Sequence, residues 1–124
     1  MQQTQVITFG IDGVLADRLR ELAETRRFRL RETSQYAACR NLVQMAPPSV
    51  LVLTLGRDLE RELVLLDEVH TCLPATATIV IGETDNPVLA GLAWDLGATF
   101  VLFPPTPLEG ITEIIDRLLT TATT

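Results

Sequence analysis

The sequence predicts an α/β fold in which a doubly wound, five-stranded parallel sheet forms the middle layer of a three-layer sandwich. Short apolar runs of strand length alternate with helix-length stretches along the chain. Each run is apolar throughout, which is typical of strands covered by helices on both faces. The 124 residues, 47% of them hydrophobic, suffice for one core but not two. We therefore expect a single domain over residues 1–124, with 120–124 as a frayed tail or the start of a linker.

The first half of the chain predicts three strands and two helices. Gly10 closes the first strand, and Asp12 is expected to cap the helix that follows, with Gly13 permitting a tight turn. Pro47 and Pro48 end the second helix. The predicted elements are a strand over 6–9, a helix marked by Leu15, Leu19, Leu22 and Ala23, a strand over 28–31, a helix over 36–45 and a strand over 50–53.

The second half continues the alternation. Asn86 is the expected cap of the fourth helix, because Pro87 suits a first helical turn. The predicted elements are a helix marked by Leu59, Leu63, Leu66, Val69 and Leu73, a strand over 78–81, a helix over 87–96, a strand over 99–103 and a helix over 107–119. In the fourth helix Leu89, Leu92 and Leu96 share one face and should be buried, whereas Trp94, roughly 200° from Leu92, points outward.

The composition argues against several functions. The net charge is −6, which disfavours nucleic acid and anionic lipid, and no apolar run reaches the ~20 residues of a membrane span. All ten basic residues are Arg, so lysine-dependent phosphate loops and Schiff bases are excluded. His70 is the single His, and Cys39 and Cys72 lack metal-site spacing. All three are predicted to be packing residues on helices, with both thiols reduced and buried in a cytoplasmic protein. We expect no enzyme activity, no cofactor and no metal.

The predicted strand ends carry the most specific pattern in the chain. The segments VITFGID, PSVLVLT, PATATIVIGETD and GLAWDLGATFVLFPPTPLEGITEIIDRLL follow one another in order from about residue 6 to 119. Together they resemble the receiver domain of bacterial response regulators in two-component signal transduction. The resemblance implies a flavodoxin-like (βα)5 fold and a phosphorelay-like signalling role.

The resemblance covers the scaffold but departs from the family at its reactive positions. The two metal-binding acids fall at Gly10 and Ile11, with Asp12 one place later, and the phosphoacceptor falls at Thr54. The hydroxyl residue that follows the phosphoryl group falls at Gly82, and the conserved lysine of the family falls at Pro104. The resemblance therefore implies a degenerate pseudoreceiver that cannot form an acyl phosphate. The aromatic switch position of the family's fifth strand appears as Val101.

Two other patterns lie near these positions. The predicted rim of the sheet offers Asp12, Glu83 and Asp85, with no cationic residue adjacent in sequence. The segment GIDGVLAD resembles the first motif of haloacid-dehalogenase phosphatases, but its nucleophile position is Gly10 and the lysine of that family is missing. The plainer interpretation of this segment is a capped strand-to-helix turn.

The charge is distributed unevenly along the chain. Residues 1–40 hold seven arginines and five acids, net +2, whereas residues 41–124 hold three arginines and eleven acids, net −8. This asymmetry suits a solvated helix face with local partners at Asp17, Glu21 and Glu24, or a surface that favours self-association or an acidic partner.

The resemblance also implies an interaction surface on the fourth helix, fifth strand and fifth helix. The candidates are Trp94, Val101, Leu108, Glu109 and Glu113, with Leu89, Ala90 and Ala93 beside them. We expect a noncatalytic signalling domain that binds a protein partner, a fused output domain or a second copy through this surface, independently of aspartyl phosphorylation. The alternative is a small-molecule or anion-binding domain that uses the crevice at the carboxyl ends of the strands.

Overall fold

The computed structural model of the protein describes the backbone of residues 4–123 and their side chains except those of residues 108 and 121–123. Its five strands form one parallel sheet in the order β2-β1-β3-β4-β5. The strands are β1 (Gln5–Phe9), β2 (Arg29–Thr33), β3 (Val50–Leu55), β4 (Ala77–Gly82) and β5 (Phe100–Leu102). The helices are α1 (Gly13–Arg26), α2 (Tyr36–Met45), α3 (Leu59–Cys72), α4 (Pro87–Asp95) and α5 (Ile111–Thr123), preceded by a 3-10 turn at Leu108–Gly110. The predicted fold class is confirmed.

Two apolar cores cover the two faces of this sheet. On one face, side chains such as Cys39, Leu66 and Ala93 from α2, α3 and α4 pack on Ile7 and Leu53. On the other face, α1 and α5 pack through a second cluster. Its central members are Val6, Leu19, Val52, Ile111 and Ile115. Because successive side chains of a strand point to opposite faces, a continuously apolar strand such as β3 serves both cores at once.

Several turns follow the predicted chemistry. Gly10 and Gly13 have φ values of 74° and 63°, a region that side chains with a Cβ rarely adopt. Asn86 caps α4 by accepting a 3.1 Å hydrogen bond from the Leu89 amide, and Pro87 begins that helix. Asp12 occupies the N-cap position of α1, but its side chain accepts no capping hydrogen bond, so the predicted capping role is wrong.

The element boundaries differ from prediction mainly at the two edge strands. β2 spans Arg29–Thr33 where a strand over 28–31 was predicted, so both of its boundaries lie later in the chain and it includes Glu32 and Thr33. It needs no apolar run because only β1 pairs with it. β5 is limited to three residues, since Pro104 has no backbone N–H to extend it. α5 continues through Thr123, into the segment predicted as a frayed tail; residue 124 lies outside the described residues.

Three packing predictions need correction or refinement. The buried face of α4 is centred on Ala93, which is fully buried, while Leu92 is 40% exposed. Cys39 is buried as expected, but Cys72 is exposed. His70 is exposed, yet its ring lies directly against Gly97, so that a side chain at Gly97 would collide with it. Within residues 4–123, no helix combines the length and apolarity needed to cross a bilayer.

Candidate functional site

A crevice opens at the carboxyl ends of the strands, where the chain order of the sheet reverses between β1 and β3. Sheets of this kind bind ligands at such a reversal, because the loops leave the two strands in opposite directions. The crevice has a volume of about 300 Å³. It is lined by Gly10, Ile11, Asp12, Leu15, Thr54, Ile81, Gly82, Glu83 and Pro104. The structure therefore brings together all six positions that the resemblance singled out.

Thr54 lies deepest among the polar residues of the crevice. It belongs to β3, pairs in register with Ile81 and is only 6% exposed. Among the described residues, its hydroxyl has no hydrogen-bond partner. Gly10 leaves the space above it open, since a Cβ at residue 10 would lie 3.5 Å from the Thr54 Cβ. The floor of the crevice therefore presents a neutral hydroxyl.

The opposite wall of the crevice is built from Gly82 and the residues that follow β5. The ring of Phe103, only 7% exposed, occupies the space that a side chain at Gly82 would need. A hydroxyl-bearing residue at position 82 therefore requires this buried ring to move. Pro104 is half-buried and joined to Pro105 by a cis peptide bond. Its ring supplies neither a cation nor a hydrogen-bond donor to the crevice.

The rim of the crevice carries two carboxylates, and a cation that is distant from them in sequence lies beside one of the two. Arg57 Nη2 lies 3.6 Å from Asp12 Oδ2, and both side chains are largely exposed. Glu83 leans over the loop after β3, so that a Cβ on Gly56 would lie 3.7 Å from its Oε2. Asp85 is exposed further along the β4–α4 loop. Among the described residues, no group of three or more His, Cys, Asp or Glu side chains is arranged to hold a metal ion.

Glu62 is a buried acidic residue that the sequence predictions did not single out. Its side chain is fully buried in α3, and Oε1 accepts a 2.9 Å hydrogen bond from the Gly56 amide. Oε2 accepts a longer hydrogen bond, 3.3 Å, from the amide of Asp58, the N-cap residue. This resembles a capping box extended by one residue, and the spacing of Asp58 and Glu62 is the signal that could have revealed it. Glu62 thus fixes the loop beside the crevice.

The predicted interaction surface is only partly exposed. Trp94 is 50% exposed on α4, which confirms that it points outward, and Val101 is half-buried in β5. Glu109 and Glu113 are exposed, and Glu113 pairs with Arg117 at 3.3 Å. The side chain of Leu108 lies outside the described part of the structure. Ala93 is fully buried and does not belong to the surface.

The arginines near the N-terminus find partners more distant than the helix spacing predicted. Arg20 binds Asp17 at 3.0 Å on its own helix, but it also binds Glu32 of β2 at 2.9 Å. Arg26 forms a 2.9 Å ion pair with Asp116 of α5. Part of the basic charge of this segment is therefore used to join α1 to its neighbours.

Comparisons with known proteins find the same architecture in receiver domains. The structure of a CheY-like response-regulator receiver domain from Methanospirillum hungatei JF-1 superposes with a TM-score of 0.80, at 11% identity over 98% of each chain. An orphan response regulator of H. pylori matches 94% of this chain and 96% of its own with a TM-score of 0.78, at 12% identity. A beryllofluoride-activated receiver domain, DrrB, gives 0.78 at 13% identity over 96% and 99% of the two chains.

These similarities establish that the protein has the receiver-domain fold. No protein-family model matches the sequence, and no curated protein matches it.

Proposed function

We propose that this protein is a signalling domain that works by binding another protein and does not use aspartyl phosphorylation. The observation that supports the proposal is the composition of the crevice: Thr54 and Pro104 line it, and these are the positions at which the resemblance places the phosphoacceptor and the cation. An acyl phosphate forms on a carboxylate, and its transfer needs a metal or fixed cation to neutralise the charge that develops. Thr54 is not a carboxylate, the two carboxylates of the crevice lie at its exposed rim, and none of the lining residues is cationic.

The partner surface in this proposal is the α4–β5–α5 surface, defined by Trp94, Val101, Glu109 and Glu113. Exposed tryptophans are frequent anchors at protein interfaces, because they bury a large area with little loss of conformational freedom. The two glutamates give this surface a polar rim. Its occupant is a protein partner, a fused output domain or a second copy of the chain.

The first experiment tests the independence from phosphorylation. Amide NMR spectra are recorded with Mg²⁺ alone and then with Mg²⁺ and beryllofluoride, a mimic of an acyl phosphate. We expect no saturable shifts at Asp12, Thr54 or Glu83. Saturable shifts at these amides would show a working phosphoryl site and would overturn the proposal.

The second experiment tests the surface. Sedimentation velocity over a range of concentrations measures self-association of the wild type, of Trp94→Ala and of Met45→Ala. Met45 is the matched control because it is 83% exposed on α2, away from the α4–β5–α5 surface. We expect concentration-dependent dimers that Trp94→Ala abolishes and Met45→Ala leaves unchanged. Dimers that persist in Trp94→Ala would exclude Trp94 as the anchor.

A second candidate function is binding of a small molecule in the crevice. The buried Thr54 hydroxyl favours it, because an unpartnered polar group facing a cavity offers a hydrogen bond to a ligand. The rim opposes one class of ligand, since Asp12, Glu83 and Asp85 outnumber Arg57 and repel anions. An anion-binding crevice is therefore the weaker form of this candidate.

A further inference from the structure

We propose that the crevice at the carboxyl ends of β1, β3 and β4 binds a small organic ammonium ion with a short apolar body. This inference rests on the second candidate function and not on the α4–β5–α5 surface, so each can fail separately. Three features of the crevice support it: a buried hydroxyl at its floor, carboxylates at its rim and apolar side chains on its wall.

The floor offers a hydrogen-bond acceptor that the described part of the protein leaves unused. Thr54 is only 6% exposed, and it lines the crevice. Thr8 Oγ1 is the one buried side-chain oxygen without a partner among the described residues, so Thr54 Oγ1 remains accessible from the crevice and can accept an N–H from a ligand. Gly10 keeps the approach to this oxygen open, as the 3.9 Å between Oγ1 and a Cβ placed at residue 10 shows.

The rim selects the charge of the ligand. Asp12 and Glu83 both line the crevice, whereas Arg57 pairs with Asp12 from outside it. The lining residues therefore carry two negative charges and no positive charge. A cation is attracted and an anion repelled, most strongly near the low-dielectric interior of the sheet.

The wall selects the body of the ligand. Ile11 and Leu15 are partly buried members of the core that extends beneath the crevice, and Pro104 lies among the lining residues. A volume of about 300 Å³ is at the lower end of small-molecule sites. The crevice therefore suits a short hydrocarbon or a single ring attached to the ammonium group.

A divalent metal ion fits these residues less well. Mg²⁺ demands near-octahedral geometry and is usually held by one or two carboxylates that are free to ligate, with waters completing its shell. The described residues contain no group of three or more candidate ligands, and Arg57 competes for Asp12. An ammonium group needs only separate acceptors, which Thr54 and the two carboxylates supply.

The test compares three probes of similar size and different charge: benzylammonium, benzyl alcohol and benzoate. Each is titrated into the full chain while amide NMR spectra are recorded. We expect saturable shifts with benzylammonium at Gly10, Thr54, Gly82 and Glu83, with a dissociation constant on the order of millimolar for so small a ligand. Benzyl alcohol should bind at least about fivefold more weakly, and benzoate should not bind.

Two variants and one control locate the binding. Thr54→Val removes the hydroxyl at nearly constant volume, and Glu83→Gln removes one rim charge; each should weaken benzylammonium binding about fivefold. Glu109→Gln, an exposed residue outside the crevice, should leave it unchanged. The spectra of the unliganded variants show whether each one folds.

Four results would overturn the inference. They are the absence of saturable shifts with benzylammonium, equal binding of benzoate, unchanged affinity in both crevice variants, and displacement of benzylammonium by Mg²⁺ at comparable concentrations. The last result would identify a metal site. None of them would affect the sedimentation test of the Trp94 surface.

Discussion

A second buried threonine makes the packing of the sheet directly testable. Thr8 lies in β1, between Glu32 of β2 and Val52 of β3 in register, and it is 1% exposed. Its side chain faces the same core as Val6, and its Oγ1 has no hydrogen-bond partner in the described part of the structure. We predict that Thr8→Val stabilises the protein.

The expected gain follows from what the substitution removes and adds. Burying a hydroxyl without a partner costs about 1 to 3 kcal/mol in protein mutational data, and Val restores apolar contact in its place. Val also suits an interior strand. We therefore expect the free energy of unfolding to rise by about 1 to 2 kcal/mol, which corresponds to roughly 3 to 10 °C in Tm for a domain of this size.

Urea unfolding followed by circular dichroism measures the change, with Thr76→Val as the matched control. The hydroxyl of Thr76 is buried too, but it donates a 2.7 Å hydrogen bond to the carbonyl of Pro48. Its removal should cost about 1 to 2 kcal/mol, because it leaves that carbonyl unpaired. If Thr8→Val lost as much stability as Thr76→Val, then Thr8 would have a partner, such as a buried water, and the reasoning would be refuted.

Three further predictions concern the loop, the thiols and the glycines. Glu62→Ala should lower the urea-unfolding free energy by about 2 to 4 kcal/mol, because it leaves both loop amides without an acceptor. Glu62→Gln should lower it by less, because glutamine keeps one acceptor oxygen; equal losses would contradict this role. Ellman's reagent should label exposed Cys72 rapidly and Cys39 only after unfolding. Burial raises the pKa of the Cys39 thiol. The free energy of unfolding should therefore be constant below the ordinary pKa of a thiol and decrease as the pH rises above it. A Cys39→Ala variant that keeps this decrease would show that Cys39 is not its cause. In the same urea assay, Gly82→Ala should lower the free energy of unfolding by about 1 to 3 kcal/mol, because the new Cβ displaces the buried ring of Phe103. Gly91→Ala should raise it by up to about 1 kcal/mol, because nothing lies near its Cβ and alanine favours the helix. Similar effects of the two alanines would argue against the ring contact.

Much of the fold was predictable because the signals that determine it are local. A run such as VLVL in β3 must be buried on both faces, and Asn86 before Pro87 marks a helix start whatever surrounds it. The rotation of α4 was not predictable in this way. The leucines of α4 suggest a face centred on Leu89 and Leu92, yet Ala93 is the fully buried residue of the helix and Leu92 is 40% exposed. Which face is buried depends on the space available between elements, which no local pattern records.

The candidate site was likewise predictable in part, where it depends on local signals, and unpredictable where it depends on contacts between distant residues. The convergence of Gly10, Thr54 and Gly82 was predictable, because the carboxyl ends of parallel strands meet at one edge of the sheet. The ion pair between Asp12 and Arg57 was not, because 45 positions separate them in the chain and the loop after β3 brings them together. Glu62 was missed for a similar reason: its carboxylate oxygens accept hydrogen bonds from the loop amides only once the loop folds back over α3.

The contact between Gly82 and Phe103 links the packing of the crevice to its proposed function. Because the ring occupies the space beside Gly82, a hydroxyl at that position is incompatible with the core as it stands. An aspartate at Thr54 alone would add a third negative charge near Asp12 and Glu83, with no cation at Pro104 to offset it. Phosphoryl transfer requires the acceptor, the metal ligands and the cation together. If the domain is not phosphorylated, as we propose, it can receive a signal only by binding a ligand or a protein. The tests of the crevice and of Trp94 distinguish between these two binding sites.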